Sequence, residues 1–215
     1  DDPRAFSAGA DLGLVVSQVQ GGDWKGLDTM VRGFQNGAQA LRRAPFPVVA
    51  APFGLTLGGG CEYALHADRI QAHAELYIGL VEAGVGLIPA GGGTKELLFR
   101  FTDELAPYEE ADPFEAVKRA FKLIAMATTS TSALEARNLG FLRPMDRITM
   151  NRDRLIADAK ARVLDLAHVA IEALHDVLLL DCVFPRLPYL RLKWLIAGRQ
   201  FHVVIILRSC GHLTG

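Results

Sequence analysis

The chain has 215 residues and only three cysteines, Cys61, Cys182 and Cys210, widely spaced and odd in number. That excludes a disulfide framework and fits a reducing compartment. An excess of either charge is also missing. Lys and Arg total 23 against 24 Asp and Glu, a net charge of −1, so nothing argues for a nucleic acid or a membrane surface as partner. No apolar run reaches the length of a membrane span, and "HVVIILRS" near the end is far too short. The opening residues carry no signal-peptide pattern, so a soluble, cytoplasmic protein is expected. Acids are lacking at one end: none follows Asp181, against Arg186, Arg191, Lys193, Arg199 and Arg208. Four of the six histidines also fall from His168 onward. The composition changes near residue 167, and 168–215 reads as an atypical tail. The opening "DDPRAFSAGADLG" starts on a turn signal without a methionine, which reads as a fragment or a processed product.

What is present is an ordinary globular balance, half hydrophobic and 22% charged, enough for one domain with a real core. Trp24, Leu27, Met30, Val31, Phe34, Ala38 and Leu41 recur at helical spacing, predicting a helix over 24–43. "PFPVVAAP" (45–52) is a β-branched run between prolines and suits a buried strand at 47–51. A short helix is predicted over 61–67, strands around Ile70 and at 77–80, and a helix over 94–101. "DPFE" at 112–115 has an Asp N-cap, Pro at the first helical position and Glu three past the cap, opening a helix to about 127. "SALE" at 132–135 opens another that ends at Gly140. "DRIT" reads as a short strand, and Asn151 caps a helix to about 167. A further amphipathic helix can run through 168–180, before two prolines in "VFPRLPYLRLKW" break helical continuity. Strands alternating with helices predict an α/β protein, α-rich towards its C-terminus.

Glycine is the residue used most unusually. Gly58, Gly59 and Gly60 stand in a row before Cys61 and Glu62, although each glycine costs an element about 0.5–1 kcal/mol relative to alanine. At a strand-to-helix junction, bare backbone N–H groups can approach a ligand, and the helix N-terminus favours negative charge. Glu62 follows that run directly, and Glu82 sits in the otherwise apolar "GLVEAGVGLIP". Each is as readily a satisfied structural carboxylate as a functional one. Apolar surroundings raise a carboxyl pKa, however, and two such groups in one pocket can manage protons on both sides of a reacting bond. Other motifs fail on residue order. Pro89 occupies the third glycine position of a dinucleotide fingerprint, and Thr94 precedes Lys95, the reverse of a phosphate loop. Metal ligation is not expected, because Cys61 with His66 and Cys210 with His212 are only isolated pairs.

Three blocks, "AFSAGADL", "PVVAAPFGLTLGGGCEYALHADRIQA" and "YIGLVEAGVGLIPAGGGTKEL", resemble the enoyl-CoA hydratase/isomerase (crotonase) family in wording, order and spacing. The resemblance is greatest to the hydratase part of bacterial bifunctional 3-hydroxyacyl-CoA dehydrogenase/enoyl-CoA hydratases, and it covers 1–167. It implies an α/β crotonase (ClpP-like) ββα superhelix core over 1–140, without its first strands, and an α-helical C-terminal region starting at 141–167. It further implies the Ala8 and Gly59 amides as oxyanion-hole donors, Glu62 and Glu82 as the catalytic carboxylates, and Ala8, Gly9, Ala10, Asp11, Gly58, Gly59 and Ala90 along CoA and the reacting water. The activity implied is hydration of trans-2-enoyl-CoA in β-oxidation. The alternatives are an enoyl-CoA isomerase, which needs only a base at Glu82, and an inactive scaffold fragment. The only cofactor implied is coenzyme A within the substrate. A homo-oligomer or a larger β-oxidation polypeptide is expected. Residues 168–215 do not resemble the family's lid helices and are expected not to cover CoA.

Overall fold

A computed structural model describes residues 4–105 and 112–183, with side chains as far as residue 170. Strand β1 (Ala5–Ser7) leads into helices α1 (Leu12–Gln20) and α2 (Trp24–Arg42). Strands β2 (Val49–Ala50) and β3 (Gly54–Leu57) precede α3 (Gly59–His66). Strands β4 (Arg69–His73) and β5 (Leu76–Gly79) run into a 3-10 turn at Glu82–Val85. Helices α4 (Gly93–Leu105), α5 (Pro113–Ala125) and α6 (Ala133–Leu139) follow, then β6 (Arg147–Thr149), a second 3-10 turn (Arg152–Arg154) and α7 (Leu155–Val183).

Successive strands alternate between two parallel sheets, ordered β1-β3-β5 and β2-β4-β6. Each strand therefore pairs with the one two places earlier, and the chain climbs as a ββα superhelix. Parallel neighbours demand crossover connections, and the helices supply them. Between the layers lies an apolar core in which Leu65, Ile70, Leu76, Ile78, Leu97, Phe101 and Phe141 are at most 1% exposed.

The helix signals act as their chemistry dictates. Asp112 accepts the Phe114 amide at 2.9 Å with Pro113 at the first helical position, and Ser132 Oγ accepts the Glu135 amide at 3.1 Å. The reciprocal half of that box is displaced by one residue: the Glu135 carboxylate takes the Thr131 amide and hydroxyl. Gly140 closes α6 in the left-handed conformation.

Several expectations need correction. The strand expected at 47–51 is only Val49–Ala50, and the strand that runs into the glycines is β3. The helix expected at 61–67 begins two residues earlier, so Gly59 and Gly60 lie within its first turn. Helix α1 was not anticipated. Asp11 caps it, accepting the amides of Gly13 at 2.9 Å and Leu14 at 3.3 Å. Asn151 caps a 3-10 turn, after which α7 runs through residue 167 to Val183 without a break. The proline-containing stretch of the expected tail lies outside the described residues.

Candidate active site

The site forms at the C-terminal ends of β1, β3 and β5, and sheet register assembles it. Ser7 pairs with Thr56, so Gly9 arrives beside Gly58, each two residues further on. Leu57 pairs with Gly79, and the Gly58 amide continues that ladder to the Gly79 carbonyl at 3.0 Å. Glu82, three residues past Gly79, is thereby carried to the same place. A Cβ at Gly58 would stand 3.3 Å from Glu82 Oε1. One at Gly9 would stand 3.5 Å from the Gly59 nitrogen and 3.3 Å from the Leu57 carbonyl oxygen. This is the strand edge at which open α/β sheets place ligands.

Gly58 requires glycine. Its φ of 54° and ψ of −123° bring the chain from β3 into α3, in a region that residues with a Cβ rarely adopt. Gly59 then occupies the first helical position, where the amide has no intrahelical acceptor. Gly60 must be small for another reason. A Cβ there would come within 2.9 Å of the Ser7 carbonyl oxygen.

Glu62 is 3% exposed and receives the Gly93 amide on Oε1 at 2.8 Å. Burial lifts its pKa to about 7. The Gly93 amide opposes the rise, the Glu82 charge adds to it, and the Gly91 and Gly92 amides also oppose it. Glu82 opens the 3-10 turn, and burial raises its pKa as well. Its Oε2 is buried without a hydrogen-bond partner among the described residues. Two carboxyls whose pKa values burial raises thus flank one stretch of glycine backbone.

Three features of the site escaped sequence reasoning. The Gly91–Gly92–Gly93 turn holds Glu62, and a Cβ at Gly91 would collide with both the Phe34 ring and Glu62 Oε2. Phe34, on α2, lies against Gly59, 2.9 Å from the position of a Cβ there, and packs edge-on to Tyr63 with centroids 4.6 Å apart. Only its place on the apolar stripe of α2 marked it. Gln35 donates to the Ala90 carbonyl at 2.7 Å and ties the following loop to α2. Of the residues implied by resemblance, Gly9, Gly58, Gly59, Glu62 and Glu82 are brought together. Ala8, Gly9, Ala10 and Asp11 are exposed, Asp11 serving as the α1 cap, and Ala90 is exposed on its loop. Cys61 is fully buried, which pushes its thiol pKa well up, and no cluster among the described residues could hold a metal ion.

A parallel superhelix with its site at these strand ends defines the crotonase fold. A crystal structure of enoyl-CoA hydratase from Bacillus anthracis shares it, with a TM-score of 0.65 and 24% identity over 95% of this chain and 70% of that one. Residues 2–107 match the family described as "Enoyl-CoA hydratase/isomerase", and this stretch belongs to that family. The "Probable 3-hydroxyacyl-CoA dehydrogenase" of Bacillus subtilis is 46% identical over 157 residues, which are 73% of this chain. "Fatty acid oxidation complex subunit alpha" of a Shewanella species is 38% identical over 95 residues, 43% of this chain. The matched segments span 19% and 13% of those two relatives.

Proposed function

We propose that this chain adds water across trans-2-enoyl-CoA thioesters, giving 3-hydroxyacyl-CoA in fatty-acid β-oxidation. The observation that carries the reading is the pair of carboxyls, buried Glu62 held by the Gly93 amide and half-buried Glu82 beside Gly58, around one glycine junction. In this reading the Ala8 and Gly59 amides donate to the thioester oxygen, where negative charge develops. Gly9, Ala10, Asp11 and Gly58 lie along CoA, and the Ala90 loop helps hold the water. Glu62 and Glu82 hold that water at C3. Its oxygen bonds to C3 as the C2–C3 double bond opens, and the proton it loses replaces the one that Glu82 passes to C2. One water is consumed, and both carboxyls return to their starting state. Overall nothing is oxidised or reduced, so coenzyme A enters only as part of the substrate. Two carboxyls suit hydration better than isomerisation, which needs one base.

The relatives' names, a dehydrogenase and a fatty acid oxidation complex subunit, support a place within a larger β-oxidation polypeptide. The test replaces each acid by its amide and follows the disappearance of a short trans-2-enoyl-CoA. Glu62→Gln and Glu82→Gln are each expected to lower kcat by about 10²-fold or more while acyl-CoA binding changes little. Hydration at the wild-type rate by either variant would overturn the two-carboxylate reading.

A further inference from the structure

Behind Glu62 lies a buried group of charges that the proposed reaction does not use. His66 sits one turn after Glu62 on α3 and is fully buried. Its Nδ1 is 2.7 Å from the Glu62 carbonyl oxygen, and a carbonyl only accepts, so Nδ1 carries the proton. Its Nε2 lies 3.7 Å from Glu96 Oε1, beyond hydrogen-bond reach, and has no hydrogen-bond partner among the described residues. Glu96, buried on α4, takes Lys95 Nζ on that same oxygen at 2.6 Å, while Arg42 from α2 stands 3.9 Å from the other. Arg100 on α4 donates to the neighbouring Leu65 carbonyl at 3.0 Å.

The state of the ring follows from these neighbours. Burial disfavours the imidazolium and lowers its pKa, the hydrogen bond to the Glu62 carbonyl and the Glu96 charge oppose this, and the Lys95 and Arg42 charges act with burial. A neutral ring has one proton, and the Glu62 carbonyl fixes it on Nδ1. The other edge of the ring supports the turn that grips Glu62. A Cβ at Gly92 would stand 2.9 Å from both Cε1 and Nε2. The Gly92 carbonyl accepts the Glu96 amide at 3.0 Å, and the Gly93 amide holds the Glu62 carboxyl. One imidazole therefore touches both supports of Glu62, its own backbone carbonyl and the turn that binds its side chain.

We propose that His66 is a positioning residue for Glu62, held as its Nδ1–H tautomer within the Glu96, Lys95 and Arg42 charge group. The kinetic part of the test rests on the hydratase reading, and the titration part does not. A ring that only fills space could be exchanged for leucine without disturbing Glu62. A positioning ring could not.

The experiment compares His66→Asn, which offers a side-chain N–H to the Glu62 carbonyl, with His66→Leu, which fills similar space without one. Both are made in the full chain, with folding checked by circular dichroism. Carboxyl-labelled glutamate reports the Glu62 titration by carbon NMR, assigned by its loss in Glu62→Gln. His66→Leu is expected to move that titration by about half a pH unit or more, and to lower kcat about tenfold with KM within about twofold. His66→Asn is expected to restore the titration and to bring kcat within about threefold of wild type. A folded leucine variant with unchanged titration overturns the proposal, as does an asparagine variant as impaired as leucine. If leucine prevents folding, Glu96→Gln is read instead. Nitrogen NMR of the ring is then expected to show the Nδ1–H tautomer, which the Glu62 carbonyl still fixes, and a ring protonated on Nε2 overturns the proposal. A wild-type chain that hydrates no enoyl-CoA refutes the hydratase reading, while the titrations still decide the role of His66.

Discussion

Glu62 is a carboxyl held where water scarcely reaches, and its linkage to folding can be worked out with sign. Its pKa is about 7 in the folded chain against an ordinary 4.5. Between those values the folded state binds more protons than the unfolded one, so stability is full below pH 4.5 and is lost as pH rises through 7. Removing the ionisable group removes that loss. Glu62→Gln is expected to be more stable than wild type at pH 8, by on the order of 3 kcal/mol, with the advantage shrinking towards pH 4. Urea unfolding at the two pH values measures it, and a variant no more stable at pH 8 would show that Glu62 is better solvated than its surroundings imply. At this scale both acids were legible, because motif order marks them. Phe34 and His66 were not. An aromatic on a helix stripe and a histidine in a helix carry no local sign of which residue they will face.

Among the elements, α3 and the strand before it decide whether backbone can act as catalyst. Gly59 is the first residue of α3. Proline suits that position in a helix, so Gly59→Pro deletes the N–H while the helix can still start. Gly59→Ala is the matched control: it places a Cβ against the same Phe34 ring, 2.9 Å away, and keeps the N–H. The proline variant is expected to turn over about 10²–10³-fold more slowly than the alanine variant. Equal rates in two folded variants would remove the junction from the oxyanion role. The junction itself was readable from the glycine run, but its strand was misplaced. "PVVAAP" has the stronger β composition, whereas "GLTL" becomes a strand because it pairs on both sides, with β1 and with β5. Helix α1 escaped for the opposite reason: it is nine residues long, buries none of them, and depends on its Asp11 cap.

Across the whole molecule, Arg100 joins parts that no stretch of sequence brings near one another. It is 3% exposed and donates to the Leu65 carbonyl at 3.0 Å and the Phe141 carbonyl at 3.1 Å, with Asp146 Oδ2 at 4.0 Å. Asp146 in turn accepts the amides of Ile70 at 2.8 Å and Arg143 at 2.7 Å. The end of α3, the start of β4 and the loop after α6 are thus fastened to one side chain on α4. Arg100→Met keeps the length but leaves two buried carbonyls and a buried carboxylate without their partner. Its expected cost is on the order of 3–5 kcal/mol, read as a lower urea midpoint. A loss below about 1 kcal/mol would mean that water replaces the guanidinium.

The sequence by itself determined the class of fold, most helix starts and the two carboxylates. Capping, helical spacing and the order of the three blocks are local properties, and they survive without a partner strand. Only the tertiary structure decided which strand feeds the glycines, what holds Glu62, and why its pKa is high. Parallel pairing between strands far apart in sequence brings Gly9, Gly58 and Glu82 to one edge, and burial between layers supplies the desolvation. Neither has a local signature, because each depends on distances that the chain acquires only when the sheets close.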